Sequence, residues 1–182
     1  MKDLSLHIAD LCQNSIAAKA KNIRLKLDLK QDTLFFSLKD DGKGMPQDKA
    51  QAALSPFVTS RTTRKVGLGI PLAKQSAEQS GGMFKINSRE NEGTEISASY
   101  ILSNIDCIPL GDIAGTVSSL MSANDNIFFW VDISKDDKQF SVSTEQLKEI
   151  LDGIPLYEPQ VALWLNKYIE ENTLDILGGY IT

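Results

Sequence analysis

The sequence is poor in cysteine. Its two thiols, Cys12 and Cys107, stand 95 positions apart, and Cys12 falls on an apolar helical stripe. That spacing excludes a disulfide framework and a thiolate metal site, and a reducing compartment is expected. Long apolar runs are also missing: no stretch approaches the roughly 20 residues that cross a bilayer, so no membrane association and a cytoplasmic location are expected. There is no internal repeat, no low-complexity tract and no Gly-x-x-x-x-Gly-Lys-Ser/Thr phosphate loop. What remains is a 182-residue chain, 42% apolar and 24% charged. That is enough for one core, or one core with a small appendage, folding without staples.

The net charge of −5 is unevenly spread. Residues 125–182 hold 11 acids and 4 bases, while the first 124 hold 13 acids and 15 bases. Nucleic acid is therefore not an expected partner of the C-terminal part.

Leu4, Ile8, Leu11, Cys12 and Ile16 recur at helical spacing. Asp10 and Asn14 lie one turn apart on a second face, with His7 near them. Strict alternation over Ile23–Leu29 reads as a half-buried strand, and Leu34–Asp40 as its hairpin partner. Asp41-Gly42-Lys43-Gly44-Met45-Pro46 forces a turn before a short helix over 49–54. Ser55–Val66, rich in Ser, Thr, Arg and Lys, reads as a long loop of the kind that is usually functional. Gly67-Leu68-Gly69-Ile70 opens a helix reaching Gln79, and strands follow at Met83–Ser88 and Thr94–Leu102. A first domain is expected over 1–104. A small α+β segment over 105–182 should carry a helix at 111–123, strands at Ile127–Ile133 and Gln139–Val142, and helices at 144–152 and 159–171. Ser143 and Thr144 ahead of Glu145 and Gln146, and Pro159 after Glu158, supply the start signals of the last pair. Trp130 and Trp164 are expected in the core.

A single Gly-x-Gly is weak evidence, but the order of features is specific. Asp10-Leu-Cys-Gln-Asn14-Ser-Ile, Asp40-Asp-Gly42-Lys-Gly44-Met45, Gly67-Leu68-Gly69-Ile and Gly93-Thr94 follow one another as helix, strand end, helix start and strand start. Over residues 4–102 this resembles the GHKL ATPase family, which groups histidine kinases with gyrase-type and mismatch-repair ATPases. The four segments look like the family's N, G1, G2 and last boxes, and Ser55–Val66 is similar to its ATP lid. The resemblance implies a two-layer α/β sandwich of the Bergerat type, a mixed sheet with helices on one face, followed by the α+β appendage.

It also implies roles. A carboxylate at Asp40 accepts from the exocyclic amine of adenine, while Thr94 lies near to complete the recognition. Gly42 and Gly44 provide positive dihedrals and close backbone approach to the nucleotide, with Met45 packing beneath. Gly67, Leu68 and Gly69 present a helix N-terminus to phosphate. Asn14 offers an amide oxygen to the Mg²⁺ that accompanies ATP. Arg61, Arg64 and Lys65 are candidates to neutralise the β- and γ-phosphates, and the sequence does not select among them.

Two departures limit the reading. Many relatives that hydrolyse ATP carry Glu four residues before the metal Asn; here the candidate catalytic base is Asp10, one methylene shorter, and a displacement of roughly 1 Å costs on the order of 10²-fold. The one histidine, His7, sits on the helix of the first box with no upstream room for a dimerisation hairpin, so self-phosphorylation is not expected. The resemblance points to an ATP-binding regulatory protein that phosphorylates an unidentified protein partner in trans. The alternatives are an ATPase switch forming a homodimer on ATP, and a module that senses nucleotide without turnover.

Overall fold

In the computed structural model, residues 2–55, 68–178 and 180 are described. The elements run α1 (Leu4–Ala17), β1 (Asn22–Lys30), β2 (Thr33–Asp40), α2 (Gln47–Ala52), α3 (Gly69–Gln79), β3 (Phe84–Arg89), β4 (Gly93–Ile101), α4 (Ile113–Ala123), β5 (Phe128–Lys135), β6 (Lys138–Ser143), α5 (Thr144–Ile150) and α6 (Pro159–Leu177). All six strands join one sheet in the order β3-β4-β2-β1-β5-β6. Every neighbouring pair is antiparallel except β1 and β5. The result is a two-layer α/β sandwich, as expected.

The register explains why one face is covered. Ile86, Ile96, Leu38, Leu25, Val131 and Val142 stand opposite one another across all six strands, and each is buried. A second row, Phe84, Ala98, Phe36, Leu27, Ile133 and Phe140, repeats the pattern. Alternation sends the intervening residues to the opposite face, where Lys85, Ser97, Lys26 and Ser141 are exposed. The helices pack on the apolar rows, with α4 against both α1 and α6. No helix of the described residues is long and apolar enough to cross a membrane.

The chain beyond residue 104 does two things for the first part. Strand β5 lies beside β1. The connection ahead of α4 places the Pro109 and Leu110 carbonyls on the Leu4 and Ser5 N–H groups, which have no partner inside α1. Asp3 caps the same helix through Leu6 N at 3.0 Å.

Three differences from the expected elements have local causes. Helix α6 runs to Leu177 rather than 171, because Thr173, Ile176 and Leu177 resume the buried stripe after polar Glu170 and Glu171. Trp164 is 43% exposed and Trp130 only half-buried, so neither belongs to the core. Trp130 instead lies on the polar sheet face, with the Arg24 guanidinium 5.2 Å from its ring centroid. The remaining boundaries agree or shift by one or two residues.

Ile133 is fully buried between β1 and β6, so Ile133→Ala is expected to cost about 2–4 kcal/mol of stability. Urea titration should show one transition moved to lower denaturant. Two separate transitions, by circular dichroism and tryptophan fluorescence, would contradict a core shared across residue 104.

Candidate functional site

A third inward row of the sheet changes character midway. Phe129 and Ile23 are apolar, but the next positions are Asp40, Thr94 and Ser88. The sheet thus ends in three polar side chains on the face that elsewhere packs against helices. Asp40 is only 7% exposed, and a carboxylate at that depth needs partners. Ser15 Oγ donates to Oδ2 at 2.6 Å and Gly42 N donates to Oδ1 at 2.9 Å. Each oxygen keeps acceptor capacity for a further donor. Beside it, Ser88 Oγ and Thr94 Oγ1 are 2.9 Å apart, and Ser88 also receives Met45 N at 2.9 Å.

Adjacent Asp41 has a different task. Its carboxylate accepts from Lys21 N, Asn22 N and Asn22 Nδ2 at 2.6–2.8 Å, tying the turn to the start of β1. Burial opposes its charge, but the Asn22 and Lys21 hydrogen bonds outweigh this and hold the carboxyl below its ordinary value.

The turn after β2 is closed by backbone contact. Gly44 has φ +56°, and a Cβ there would stand 1.8 Å from the Arg89 carbonyl oxygen. Gly93 has φ +97°, and its Cβ would meet the Asp40 carbonyl oxygen at 2.0 Å. Neither position admits a side chain. Gly42 departs from the expectation: its φ is not positive, and its missing Cβ leaves room for Ala18 and the Asp40 carboxylate.

These elements enclose a cleft of about 740 Å³, within the usual range for small-molecule sites. Asp40, Thr94 and Ile96 form its floor; Leu11, Asn14 and Ser15 one wall; Lys43, Gly44 and Met45 the other; Ile70 of α3 also lines it. A second depression of about 660 Å³ shares Asp40 and Thr94 but is otherwise walled by groups such as Lys39, Arg89, Glu92 and Glu95. Only the first offers apolar walls to a flat ring.

The structure brings Asn14, Asp40, Gly44, Met45 and Thr94 to this cleft. Gly69, the first residue of α3, stands at its rim: a Cβ there would be 3.3 Å from Asp10 Oδ2 and 3.7 Å from Asn14 Nδ2. Asp10 is exposed beside it, and Leu68 is the residue preceding α3, with no side-chain cap on the helix. Arg61, Arg64, Lys65 and Gly67 lie outside the described residues. Among the described residues, no cluster of three or more His, Cys, Asp or Glu could hold a metal. Asn14 is left as an exposed amide on the cleft wall.

Ser15 and Ser88 were not singled out by the sequence reading. Ser15 is four residues after Leu11 on the apolar stripe, and Ser88 occupies an inward position of β3. A hydroxyl on a buried face is a usable signal, because it must find a partner.

Two other groups on α1 are buried and neutral. Burial and then the Asp40 charge push the Cys12 thiol up to about 12. His7 is 2% exposed; burial and then the positive N-terminus lower its pKa, against opposing effects of Asp10 and Asp3.

Comparison with known proteins places these features in context. The family described as histidine kinase-, DNA gyrase B-, and HSP90-like ATPase matches residues 2–103. Sporulation kinase E of Bacillus subtilis is 38% identical over 66 residues, 36% of this chain and 9% of that protein. Sensor histidine kinase ZraS of Salmonella typhimurium is 28% identical over 89 residues, 47% of this chain and 19% of its own length. The chain therefore spans less than a fifth of these two relatives. Among solved structures, the Aquifex aeolicus MutL ATPase domain complexed with ADP superposes with TM-score 0.53 at 12% identity, covering 84% of this chain and 70% of that one. The N-terminal domain of a DNA repair protein gives 0.54 at 15%, covering 78% and 52%. At these identities the likeness is one of fold.

Two tests follow from the buried groups. A thiol reagent at pH 8 is expected to leave Cys12 unmodified until the chain unfolds. Because the folded pKa of His7 lies below 6.5, the unfolded chain binds the extra proton more readily. Stability should be unaffected above pH 6.5 and fall as pH drops below it. In His7→Leu the part of that slope between 6.5 and the carboxylate range should vanish, and an unchanged slope would exclude His7 as its source.

Proposed function

Because the chain belongs to the family of histidine kinase-, DNA gyrase B- and HSP90-like ATPases, we propose that its cleft binds Mg²⁺-ATP and that the protein passes the γ-phosphate to a partner protein. The observation that carries the nucleotide part is the buried Asp40 carboxylate, fixed by Ser15 and Gly42 beside the Thr94 hydroxyl. The exocyclic amine of adenine donates to Asp40, while Thr94, directly or through water, serves a ring nitrogen. A hydrogen bond to a charged group contributes about 1.5–3 kcal/mol, and Met45, Ile70 and Ile96 cover the ring.

From adenine, the triphosphate runs toward Asn14 and the start of α3 at Gly69. The unpaired N–H groups of that helix turn favour anionic oxygens. The donor set fits a metal that arrives with the nucleotide rather than a resident cage. Asn14 would hold Mg²⁺ through its amide oxygen, and the ion would supply charge neutralisation at the phosphates. Asp10, exposed beside Gly69, would serve as the base for the attacking group.

Transfer in trans is favoured by His7. At 2% exposure its ring does not reach solvent, so this histidine does not serve as the acceptor. The matched segments of a sporulation kinase and a sensor histidine kinase favour phosphoryl transfer over nucleotide binding alone. The fold likeness to the MutL ATPase domain favours a second reading, an ATP-driven dimerisation switch. Light scattering with and without ATP separates the two: a constant monomer removes the switch.

For the site, Asp40→Asn is expected to weaken ATP binding by at least about 100-fold in calorimetry, through loss of the negative charge and of one of the two acceptor oxygens. Asn14→Ala should retain binding without Mg²⁺ and lose the increment that Mg²⁺ adds. Unchanged ATP affinity in Asp40→Asn would sink the assignment. ATP binding with no label passing from γ-labelled ATP to any candidate partner would sink the kinase reading while leaving the site intact.

A further inference from the structure

The C-terminal part is the acidic part of the chain, yet it also exposes the most apolar surface. Of the twelve large apolar side chains exposed among the described residues, seven lie between Ile150 and Leu174. Two of them, Trp164 and Tyr168, are stacked at 5.3 Å with 6° between ring planes. Tyr168 in turn stands edge-on to Phe140 of β6 at 5.5 Å. This flank of α6 therefore overhangs the last strand of the sheet.

Strand β6 is an open edge. Asp136 and Asp137 form a two-residue turn closing on the pair Lys135 and Lys138, which exchange hydrogen bonds in such a hairpin. By strict alternation, the backbone groups of Gln139 and Ser141 aim away from β5. Among the described residues, no backbone group meets them.

Natural edges are usually guarded by charge, proline, bulges or a covering helix. The opposite edge, β3, follows that rule: Lys85 and Arg89 stand on its exposed face, and α2 packs against it. The β6 edge is guarded only at its start: Lys138, exposed and held to the Asp175 carboxylate at 2.8 Å, is followed by the uncharged exposed side chains of Gln139 and Ser141. An added strand would lie about 4.8 Å beyond β6, on the side overhung by Tyr168 and Trp164.

We propose that the free edge of β6, roofed by Trp164 and Tyr168, receives an extended segment of a basic partner protein as a seventh strand. Main-chain hydrogen bonds from Gln139 and Ser141 supply affinity, and the aromatic pair takes the apolar side chains that face inward. Charge selects the occupant. Residues 125–182 carry 11 acids against 4 bases, and Asp136, Asp137 and Asp175 outnumber Lys135 and Lys138 at one end of the edge, so a second copy of this surface would be repelled and a basic strand attracted. This docking surface stands independently of the nucleotide site.

The probe is a capped, alternating Lys-Val hexapeptide titrated into the ¹⁵N-labelled full chain without nucleotide, with a Glu-Val hexapeptide as counterpart. The Lys peptide is expected to shift the Gln139 and Ser141 amides and the Trp164 indole, and to slow exchange of those two amides. Trp164→Ala and Gln139→Lys should each weaken binding about tenfold, while Lys85→Ala on the other edge leaves it unchanged. Circular dichroism of each variant separates loss of binding from loss of fold. No shift at millimolar peptide overturns the proposal, as does equal binding of the Glu peptide. Concentration-dependent protection of the same amides without peptide, with a dimer mass, would assign the edge to a second copy and overturn it too.

Discussion

The arrangement depends on one buried carboxylate. Left alone at 7% exposure, Asp40 would face a desolvation cost of several kcal/mol. The Ser15 hydroxyl from α1 and the Gly42 N–H from the following turn offset it from two sides. The pairing locks α1 to the end of β2, and the remaining acceptor capacity of the two oxygens faces a cleft with apolar walls. A site of this kind is preorganised: its charged group is already dry and already oriented before a ligand arrives.

The same economy of space governs the neighbouring turns. Gly44 and Gly93 bring the segment after β2 and the start of β4 within backbone contact of Arg89 and Asp40. Any side chain at either place would separate the strands that set Asp40 opposite Thr94. The Ser88 hydroxyl then links three chain segments by accepting from Met45 N, bonding the Thr94 hydroxyl and lying 3.0 Å from the Gly93 carbonyl oxygen. Recognition chemistry and strand register are therefore one constraint.

Much of this was legible in the sequence because it is written in short-range patterns. The period-two alternation of β1, the helical stripe of α1 and the glycine spacing after Asp40 each need only a few adjacent residues to be read. Ser15 and Ser88 escaped because their partners, Asp40 and Thr94, are brought to them by the register. The parallel pairing of β5 with β1 was illegible for a stronger reason. It joins residues about a hundred positions apart with no turn to announce it. Trp164 was misplaced because its helical position alone does not say whether a neighbour covers it; only the end of the sheet at β6 leaves it open.

That parallel pairing also fixes how a partner could meet the nucleotide. Ile23 of β1 stands opposite Asp40 on one side and Phe129 of β5 on the other. The β6 edge therefore lies three strand spacings from the strand of Asp40, about 14 Å. A segment added there would leave the cleft open, and the cleft is walled by α1, which also receives the Pro109 and Leu110 carbonyls from the connection to α4. Were a protein bound at that edge also the acceptor in the proposed transfer, its accepting group would have to reach around the helical layer to Asp10 and Gly69. The two proposed sites are therefore built from different chemistry: main-chain pairing and charge at the β6 edge, and a buried carboxylate with its neighbouring hydroxyls in the cleft.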